Sequence, residues 1–388
     1  MRLGFYYHIP AIEKDGKILM PGYLGRFLDA LAGYCQELVL FQHLPNPGEN
    51  ANFDYKIRSE NVRLISLPVR GSVPNRMLHA GKFTKILERH LPQLDAILFR
   101  GPTPLLPAMA NASKTIPTIF LIVGDYLAGF SSLQQPWWRK GLIYAWELYN
   151  DRRQLHFAKR GLVFVNSDIL YDKFTGKIEN LKQTRTTTLS RDDFFKREDT
   201  CQERPIRLLY TGRMDPAKGL LDMVSALGIL AAEGEDIVLD LVGWPEEGSD
   251  ILSQIEKTAA QNGVANRVFY HGYKAVGPEL FAYYKNADLY LIASQASEGF
   301  PRTIWEAMAH STPVVATRVG SIPDFVKGAA GLVPPKDPEA LAKGVINLMD
   351  HPEIRRKYIK KGFDLASQNT LEVQVGEMAN KIQAWVEG

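Results

Sequence analysis

The stretch DLYLIASQASEGFPRTIWEAMAHSTPVVAT, residues 288–317, has the alternating character of a parallel α/β sheet. An apolar run at 288–294 is followed by a loop with Gly and Pro, a helix-like segment at 301–311 and a second apolar run at 313–317. Such runs are typical of strands that helices cover on both faces. Because parallel neighbours need a crossover connection, this stretch predicts one strand–helix–strand unit of a doubly wound sheet.

The same alternation extends through the rest of the chain. In the second half we predict further strands at 206–214, 236–243, 267–272 and 331–335, and helices at 218–234, 250–263 and 277–287. In the first half we predict strands at 2–9, 36–43, 62–68, 95–100, 117–123 and 161–167, and helices at 22–33, 75–90, 104–113 and 138–159. The predicted fold class is α/β, with two Rossmann-like doubly wound domains facing each other across a cleft.

The length of 388 residues suits two domains better than one core. A polar, turn-rich stretch separates the two sets of elements. We predict an N-terminal domain at 1–190, an interdomain linker at 191–204 and a C-terminal domain at 205–371. The closing segment 372–388 reads as a helix that packs back onto the N-terminal domain.

Composition narrows the class and the compartment. Hydrophobic residues make up 45% of the chain and charged residues 23%, which is typical of a globular protein. The two cysteines, Cys35 and Cys201, are too few for a disulfide framework or a structural zinc site. The N-terminus reads as a first strand, not as a signal peptide, and no apolar run approaches the ~20 residues that span a bilayer. We therefore expect a cytoplasmic protein.

Charge is distributed unevenly. Residues 1–190 hold 24 Lys and Arg against 15 Asp and Glu, whereas residues 191–388 hold 22 against 28. One interpretation is that the first half faces an anionic surface or substrate. The other is that the charges of two paired domains have simply drifted apart.

The loop GRMDPAKG, residues 212–219, leaves a predicted strand beside the start of a helix. Ligands of open parallel sheets bind outside the carboxyl ends of the strands. There Arg213 offers a planar fork and Lys218 a mobile point charge, and together they can neutralise a diphosphate. The loop is not a Walker P-loop. The alternative is two solvated charges in a surface turn.

The loop QASEGFP, residues 295–301, leads straight into a helix. A helix N-terminus presents unpaired N–H groups that receive phosphate. Gly299 lets a ligand approach the backbone, and Pro301 suits the first helical turn. Glu306 could accept both hydroxyls of a ribose, and Glu298 would face the ligand beyond its phosphates. Each acid could equally be an ordinary solvated residue.

A third loop, HGYKAVG at 271–277, places Gly272 and Tyr273 where backbone and a ring edge could meet a flat base. Gly243 ends a further strand in the same layer and would leave space for a ligand. All these features fall at one edge of one predicted sheet. Their convergence favours a nucleotide site in the C-terminal domain.

The segments EGFPRTIWEAMA (298–309) and YTGRMDPAKGL (210–220) resemble the E-x7-E motif and the GR…KG element of the retaining glycosyltransferases of family 4. The resemblance covers roughly 205–340, while 1–190 matches in topology alone. It implies the GT-B fold, with the nucleotide-sugar donor on the C-terminal domain and the acceptor on the N-terminal one.

By the same resemblance, Arg213 and Lys218 would bind the donor diphosphate and stabilise the leaving group, and Glu306 would hold the ribose. Glu298 with the amides of 299–301 would contact the sugar and phosphate. The full set of implied donor-binding residues is Gly212, Gly243, His271, Gly272, Tyr273, Gly299, Phe300, Pro301, Thr303 and Glu306.

The chain departs from the family pattern in the first domain and once in the second. The family's Gly-Gly turn is matched only approximately, by Gly22 and Gly25 around Tyr23, which we place on the acceptor side. Asp125 stands near the place of a His, so it is the candidate catalytic contact to the sugar's C6 side. Asp324 stands where Glu is usual.

The implied reaction transfers a sugar from a nucleotide diphosphate to an acceptor hydroxyl with retention of configuration. A front-face reaction needs no protein nucleophile, and none is nominated. The chain has no Asp-x-Asp, so we expect no divalent metal and no cofactor beyond the donor. A UDP-sugar is favoured on family frequency, and GDP- and ADP-sugars stay open. The acceptor would be a glycan or a lipid-linked molecule.

The segment 134–160 mixes tryptophans and tyrosines with six Lys and Arg and two acids. This mixture suggests contact with an anionic membrane at its inner face. The alternative is a helix that buries its aromatic residues against the sheet while its cations face water. No nucleic-acid motif accompanies the charges, so nucleic acid is not an expected partner.

Two other functions share these features. A GT-B epimerase or hydrolase acting on a nucleotide sugar would use the same fold and the same nucleotide site. A non-catalytic nucleotide-sugar-binding protein would keep affinity without turnover.

Overall fold

The structure is a computed structural model that describes residues 1–49, 53–127, 136–246, 248–295 and 301–388. By its internal contacts the chain divides into two compact units. Unit 1 comprises Met1–Thr186 with Leu371–Gly388, and unit 2 comprises Thr187–Thr370. The segment 191–204, which the sequence suggested as a linker, thus lies within unit 2.

Sixteen strands are present in the described residues. Those of unit 1 are β1 Arg2–Tyr7, β2 Ile12–Lys14, β3 Lys17–Met20, β4 Glu37–His43, β5 Tyr55–Lys56, β6 Val62–Leu67, β7 Ala96–Gly101, β8 Thr118–Ile122, β9 Leu162–Val165 and β10 Leu181–Gln183. Those of unit 2 are β11 Ile206–Met214, β12 Ile237–Pro245, β13 Val268–Tyr270, β14 Leu289–Ile292, β15 Val314–Thr317 and β16 Gly331–Val333.

Fourteen α-helices accompany them in the same residues. Unit 1 contains α1 Gly22–Ala32, α2 Val73–Leu78, α3 Ala80–His90, α4 Leu106–Ala112, α5 Trp137–Ala158 and α6 Asp168–Phe174. Unit 2 contains α7 Leu220–Ala232, α8 Ile251–Gln261, α9 Pro278–Asn286, α10 Arg302–Ala309, α11 Ile322–Val326, α12 Pro338–Asp350 and α13 Pro352–Ser367. The last helix, α14 Leu371–Glu387, belongs to unit 1.

Unit 1 is built on a seven-stranded sheet in the order β10-β9-β8-β7-β1-β4-β6, and every pairing in it is parallel. Strand β1 pairs with β4 on one side and with β7 on the other, so the direction of winding reverses between β1 and β7. A small antiparallel sheet, β2-β3-β5, adds to this unit. The reversal point is where α/β sheets usually hold their ligands.

Successive side chains of β1 fill a hydrophobic core on each face of the seven-stranded sheet. Leu3 and Phe5 enter one core, while Tyr6 enters the other. Since successive side chains of a strand point to opposite faces, an unbroken apolar run serves both cores. Helix α14 covers one of them with Val375 and Ile382.

Unit 2 repeats the plan with a six-stranded parallel sheet in the order β13-β12-β11-β14-β15-β16. The winding reverses here between β11 and β14. Leu208 and Tyr210 of β11 point into one core and Leu209 points into the other. The expected α/β doubly wound fold is therefore present in each unit.

The segment before β11 is fixed to unit 2 by polar contacts. The Arg197 guanidinium donates to the carbonyls of Lys285 and Ala287. The buried Arg355 forms a bidentate salt bridge with Asp199, with N–O distances of 2.6 and 3.0 Å. These contacts anchor Arg197 and Asp199 to unit 2.

Two of the predicted elements differ in extent from the structure. The helix expected at 75–90 is two helices, α2 and α3, which are separated at His79 with φ −101° and ψ 19°. The expected strand at 267–272 is confined to β13. Among the described residues, none of the helices combines the length and the apolar character needed to cross a membrane.

Candidate functional site

Two loops meet at the point in unit 2 where the winding reverses. One loop leaves β11 and the other leaves β14, which are neighbours in the sheet. The backbone N–H of Gln295 donates to the carbonyl of Ala217 at 2.8 Å, and the Gln295 amide donates to Asp222 at 2.7 Å. The two predicted phosphate-binding loops are therefore joined directly by hydrogen bonds.

A glycine sets how close these loops lie. Gly219, at φ 68°, ends a 3₁₀ turn and begins α7. A Cβ at this position would lie 2.0 Å from the carbonyl oxygen of Ala293. Only glycine combines the left-handed backbone with this approach. The loop that carries Lys218 is thus held against the end of β14.

Arg213 and Lys218 lie at the same sheet edge. Arg213 is at the end of β11 and half-exposed, and its guanidinium pairs with Asp215 at 3.0 Å and with Glu246. Lys218 follows in the 3₁₀ turn, which Asp215 caps by accepting the N–H of Ala217 at 2.8 Å. Two carboxylates therefore hold the cation that a diphosphate would contact.

Gly212 and Gly243 face each other on β11 and β12. Gly243 has φ 146°, and a Cβ there would lie 1.8 Å from the Gly212 carbonyl oxygen. The N–H of Gly243 donates to the Gly272 carbonyl at 2.9 Å. The close approach of backbone to backbone explains Gly243, whereas the sequence suggested that it left room for a ligand.

The loop after β13 carries aromatic and imidazole groups. Tyr273 packs edge-on against Trp244, with ring centroids 5.3 Å apart. His271 Nε2 lies 2.7 Å from Asp240 Oδ1, which fixes the imidazole ring. Gly272 is left-handed at φ 69°, and a Cβ there would meet nothing within 4 Å. Open space beside an aromatic pair suits a flat ligand group.

The third predicted element is the start of α10. Pro301 is its N-cap residue, and no side chain among the described residues caps this end by a hydrogen bond. The Ile304 N–H in the first turn donates to the Pro301 carbonyl at 3.1 Å. Glu298, Gly299 and Phe300 lie outside the described residues, so the predictions made for them stay predictions.

Glu306 is buried, with 4% of its surface exposed. It is therefore not the ordinary solvated residue that the sequence left open as an alternative. Its carboxylate accepts the Thr188 hydroxyl at 2.5 Å and the Tyr284 hydroxyl at 2.9 Å. His310 stacks on Tyr284 and contacts the Glu306 carbonyl through Nδ1 at 2.7 Å. A buried carboxylate of this kind is oriented by neutral donors and not by a cation.

The same hydroxyl network continues under the two loops. Tyr284 and Thr211 are in hydrogen-bond contact at 2.5 Å, and Thr211 lies 3.3 Å from the Tyr290 hydroxyl. Thr303, a predicted donor-binding residue, bonds to the same Tyr290. Burial, and then the charge of Glu306, raises the pKa of Tyr284 well above its usual value. Tyr284 therefore remains a hydrogen-bond donor at neutral pH.

The predicted acceptor-side glycines of unit 1 lie at the start of α1. The N–H of Gly22 donates to Asp54 at 2.8 Å, and a Cβ on Gly25 would lie 2.3 Å from the Tyr55 ring. Packing thus explains Gly25. Tyr23 lies beside Arg100, whose guanidinium carbon is 5.9 Å from the ring centroid.

Asp125 follows β8 in unit 1 and is part of a charged cluster. Lys173 donates to Asp125 at 2.9 Å and to Asp151 at 3.0 Å. Glu147 lines a cavity of about 30 Å³ together with Asp125, Asp151 and Lys173. Burial, then the charges of Asp151 and Asp125, raises the pKa of Glu147 to about 7. A contact from Asp125 to a sugar would have to coexist with the Lys173 pair.

Comparison with solved structures defines the class of fold. Anabaena HepE, solved in complex with UDP, matches with a TM-score of 0.74 over 99% of this chain and 100% of its own, at 18% identity. Sucrose-phosphate synthase from Thermosynechococcus elongatus matches with a TM-score of 0.73, covering 99% of each chain, also at 18% identity. The fold is the GT-B fold of glycosyltransferases, as predicted.

Sequence comparison finds similarity to known proteins over part of the chain. Residues 191–364 match the family described as Glycosyl transferases group 1. D-inositol 3-phosphate glycosyltransferase of Streptomyces griseus is 34% identical over 188 residues, 44% of this chain and 39% of that protein. MMP alpha-(1->4)-mannosyltransferase of Mycolicibacterium hassiacum is 31% identical over 229 residues, 57% and 53% of the two chains. The chain spans about two fifths of the length of the first curated relatives it matches.

Several residues of the site were not predicted from the sequence. Thr188 and Tyr284 reach Glu306 from distant parts of the chain, and Gln295 joins the two loops. Gly219 could have been identified from the sequence, because a glycine that follows a turn and precedes a helix often has positive φ.

Proposed function

We propose that the protein is a retaining glycosyltransferase of family 4 that moves a sugar from a nucleotide diphosphate to a hydroxyl of a glycan or lipid-linked acceptor. One observation carries the proposal. The Arg213–Lys218 loop and Gln295, just after β14, adjoin at the reversal point of one parallel sheet, joined by the Gln295–Ala217 hydrogen bond. The family match over 191–364 supports the same conclusion.

The chemical need is to stabilise a departing diphosphate. Negative charge grows on the leaving oxygen as the glycosidic bond breaks, and preplaced cations stabilise it without reorganisation. Arg213 is already oriented by Asp215 and Glu246. We propose that the phosphates replace one of these carboxylates and that Lys218 adds the second positive charge.

The geometry of unit 2 supports a proposal for the remaining donor contacts. We propose that the ribose lies over the hydroxyl network, so that its vicinal hydroxyls join Thr188 and Tyr284 in donating to Glu306. A carboxylate has about four lone-pair sites, so two of them remain for the sugar. We further propose that the start of α10 lies next to a phosphate, and that Trp244 with Tyr273 flanks the base.

A protein of the same fold supports a proposal for the donor base. Anabaena HepE has been solved with UDP, with UDP and glucose, and with UDP-glucose. We therefore propose a UDP-sugar as donor, with the acceptor bound by unit 1. We also propose that Asp125 and the residues around Tyr23 serve that unit's substrate.

Helix α5 provides a reason to place the protein at a membrane. Trp137 is 85% exposed, and Trp138 and Leu142 are exposed as well. Arg139 lies on the same exposed turn. The simpler interpretation, in which this helix buries its aromatic residues, does not hold for these tryptophans. We propose that 136–160 contacts an anionic membrane surface.

A thermal-shift screen tests the donor proposal. UDP and UDP-glucose should raise the melting temperature, because a ligand of the native state stabilises it by mass action. GDP and ADP and their sugars serve as comparison ligands. If none of these nucleotides changes the melting temperature, the proposed donor site is wrong.

Turnover separates the reaction from its alternatives. Arg213→Ala and Lys218→Ala should each lower turnover by about 100-fold or more, the effect of losing one transition-state contact. Lys257→Ala, an exposed residue on α8, is the matched control. Sugar release that needs no acceptor would indicate a hydrolase or epimerase. Nucleotide binding without any turnover would indicate a binding protein.

A further inference from the structure

Unit 1 has its own reversal point, between β1 and β7, and two buried cations lie there. Arg100 is on β7 near its carboxyl end, with 6% of its surface exposed. Its guanidinium carbon lies 5.0 Å from the ring centroid of Tyr7, at the end of β1. Arg100 is therefore oriented toward the edge of the sheet at which a ligand of this fold would bind.

Arg76 reaches the same edge from α2. It is 7% exposed, and its charge acts on Tyr6 and on Tyr126, which follows β8. Burial lowers the pKa of the Arg76 guanidinium, as expected for a cation that water no longer solvates. Two strands and a separate helix thus contribute cations and hydroxyls to one place.

The Arg100 guanidinium lies over the rings of Tyr7, Tyr23 and Phe27, but neither guanidinium is neutralised by a carboxylate in the part of the chain that the structure describes. Nε and Nη1 of Arg76 and Nε of Arg100 are buried without a hydrogen-bond partner. No carboxylate among the described residues forms an ion pair with either side chain. Buried charges are normally paired, because desolvation without a partner costs several kcal/mol. The pattern indicates an anion that completes the site.

The surrounding groups also favour an anion. The charges of both cations act on His8, and its Nδ1 is buried without a partner. Burial first, and then the charges of Arg76, Arg70, His43 and Arg100, lowers the pKa of His8 to about 3. Arg70 is the exception in the cluster, since it pairs with Glu49 at 2.7 Å. A neutral His8 can donate a hydrogen bond without adding charge.

We propose that Arg76 and Arg100, with His8, bind a phosphate group of the acceptor. That the phosphate belongs to the acceptor depends on the proposed glycosyl transfer, whereas the phosphate site itself depends on unit 1 alone. Two guanidiniums that approach from different elements match a tetrahedral oxyanion, which offers acceptor oxygens in several directions. A carboxylate is planar and is usually satisfied by a single fork. The excess of Lys and Arg in residues 1–190 agrees with an anionic substrate.

The test measures phosphate binding to the full chain with the unit 2 site removed. In an Arg213→Ala, Lys218→Ala background, inorganic phosphate and glycerol 3-phosphate are titrated by calorimetry. Adding Arg76→Gln or Arg100→Gln should weaken binding about tenfold or more, the effect of losing a charge-assisted hydrogen bond. Arg89→Gln, an exposed residue on α3, is the matched control. Circular dichroism checks that each variant folds.

Where a glutamine variant does not fold, Arg76→Lys and Arg100→Lys replace it. They keep the charge and lose the fork, so binding should weaken less but still measurably. A second arm uses phosphatidylcholine vesicles with and without phosphatidic acid. Vesicle binding that falls in the Arg76 and Arg100 variants, but not in Arg89→Gln, indicates a lipid phosphate. Binding of the soluble phosphates indicates a small phosphorylated acceptor.

The outcomes separate the two proposals. If no phosphate probe binds, or if the variants bind as the control does, the phosphate site is wrong. If phosphate binds and the variants lose it while UDP fails to stabilise the unsubstituted chain, the phosphate site stands and the proposed glycosyl transfer fails.

Discussion

Replacing Tyr284 by Phe removes one hydroxyl from the buried network around Glu306. That hydroxyl donates to the Glu306 carboxylate at 2.9 Å and lies 2.5 Å from the Thr211 hydroxyl. After the change, Thr188 is the remaining side-chain donor to Glu306 in the described residues. The carboxylate stays buried with half of its former donors.

The magnitude follows from the type of bond. A hydrogen bond to a charged group contributes about 1.5–3 kcal/mol. For a domain of 150–250 residues, each kcal/mol shifts the melting temperature by about 2–4 °C. We therefore expect Tyr284→Phe to lower the melting temperature of unit 2 by about 3–12 °C. Weaker binding of UDP should accompany it if Glu306 holds the ribose.

The matched control is Tyr283→Phe, the same change one residue earlier on α9. The Tyr283 hydroxyl makes no hydrogen bond among the described residues, and its ring packs against His271. Differential scanning calorimetry compares both variants with the unsubstituted chain. Equal melting temperatures for the two variants would refute the idea that Tyr284 holds Glu306. In Tyr284→Phe/Glu306→Gln the two effects should not add, because both remove the same bond.

Three further predictions concern stability. Gly243→Ala should destabilise unit 2 by about 3 kcal/mol or more, because the added Cβ would lie 1.8 Å from a carbonyl oxygen on the neighbouring strand; a change below about 0.5 kcal/mol in urea unfolding would contradict it. Arg355→Met should cost about 3–5 kcal/mol, since Asp199 loses its buried partner. The matched control Arg356→Met, 62% exposed, should cost less than about 1 kcal/mol, and equal costs would show that the buried bridge contributes nothing special. The pKa of Glu147 is raised to about 7, so the folded chain keeps a proton on this carboxyl that the unfolded chain releases. The stability that this proton adds to the folded state is complete below the unfolded pKa and is lost as pH rises through about 7. Glu147→Gln should therefore make the melting temperature less dependent on pH between about pH 5 and pH 8, and an unchanged pH profile would exclude the effect.

The regular part of the fold could be predicted because it depends on local patterns. The strand predicted at 206–214 coincides with β11, since an uninterrupted apolar run has few other stable arrangements in an α/β domain. Strands β2 and β5 have three and two residues, too short for alternation to be visible. At the break between α2 and α3 the sequence has Gly81 two residues after His79, a weak signal because glycine also occurs inside helices.

The candidate site was predictable only in part, for a physical reason. The position of Arg213 and Lys218 at a strand's exit beside a helix start was predictable because the apolar run before them and the helical pattern after them are local. The partners of Glu306 could not, since Thr188 lies 118 residues away and only folding brings it near. Arg76 and Arg100 look like ordinary cations in the sequence. Their burial depends on the order of the strands around them.

The placement of α14 has a practical consequence for anyone who divides this protein. Unit 2 is one uninterrupted stretch, Thr187–Thr370, whereas unit 1 is assembled from two stretches that lie on either side of it. A fragment that stops at 186 would leave the hydrophobic surface under Val375 and Ile382 open to solvent, with aggregation as the expected result. Expression of the first unit alone requires a short engineered bridge from 186 to 371, while the second can be excised with two simple cuts.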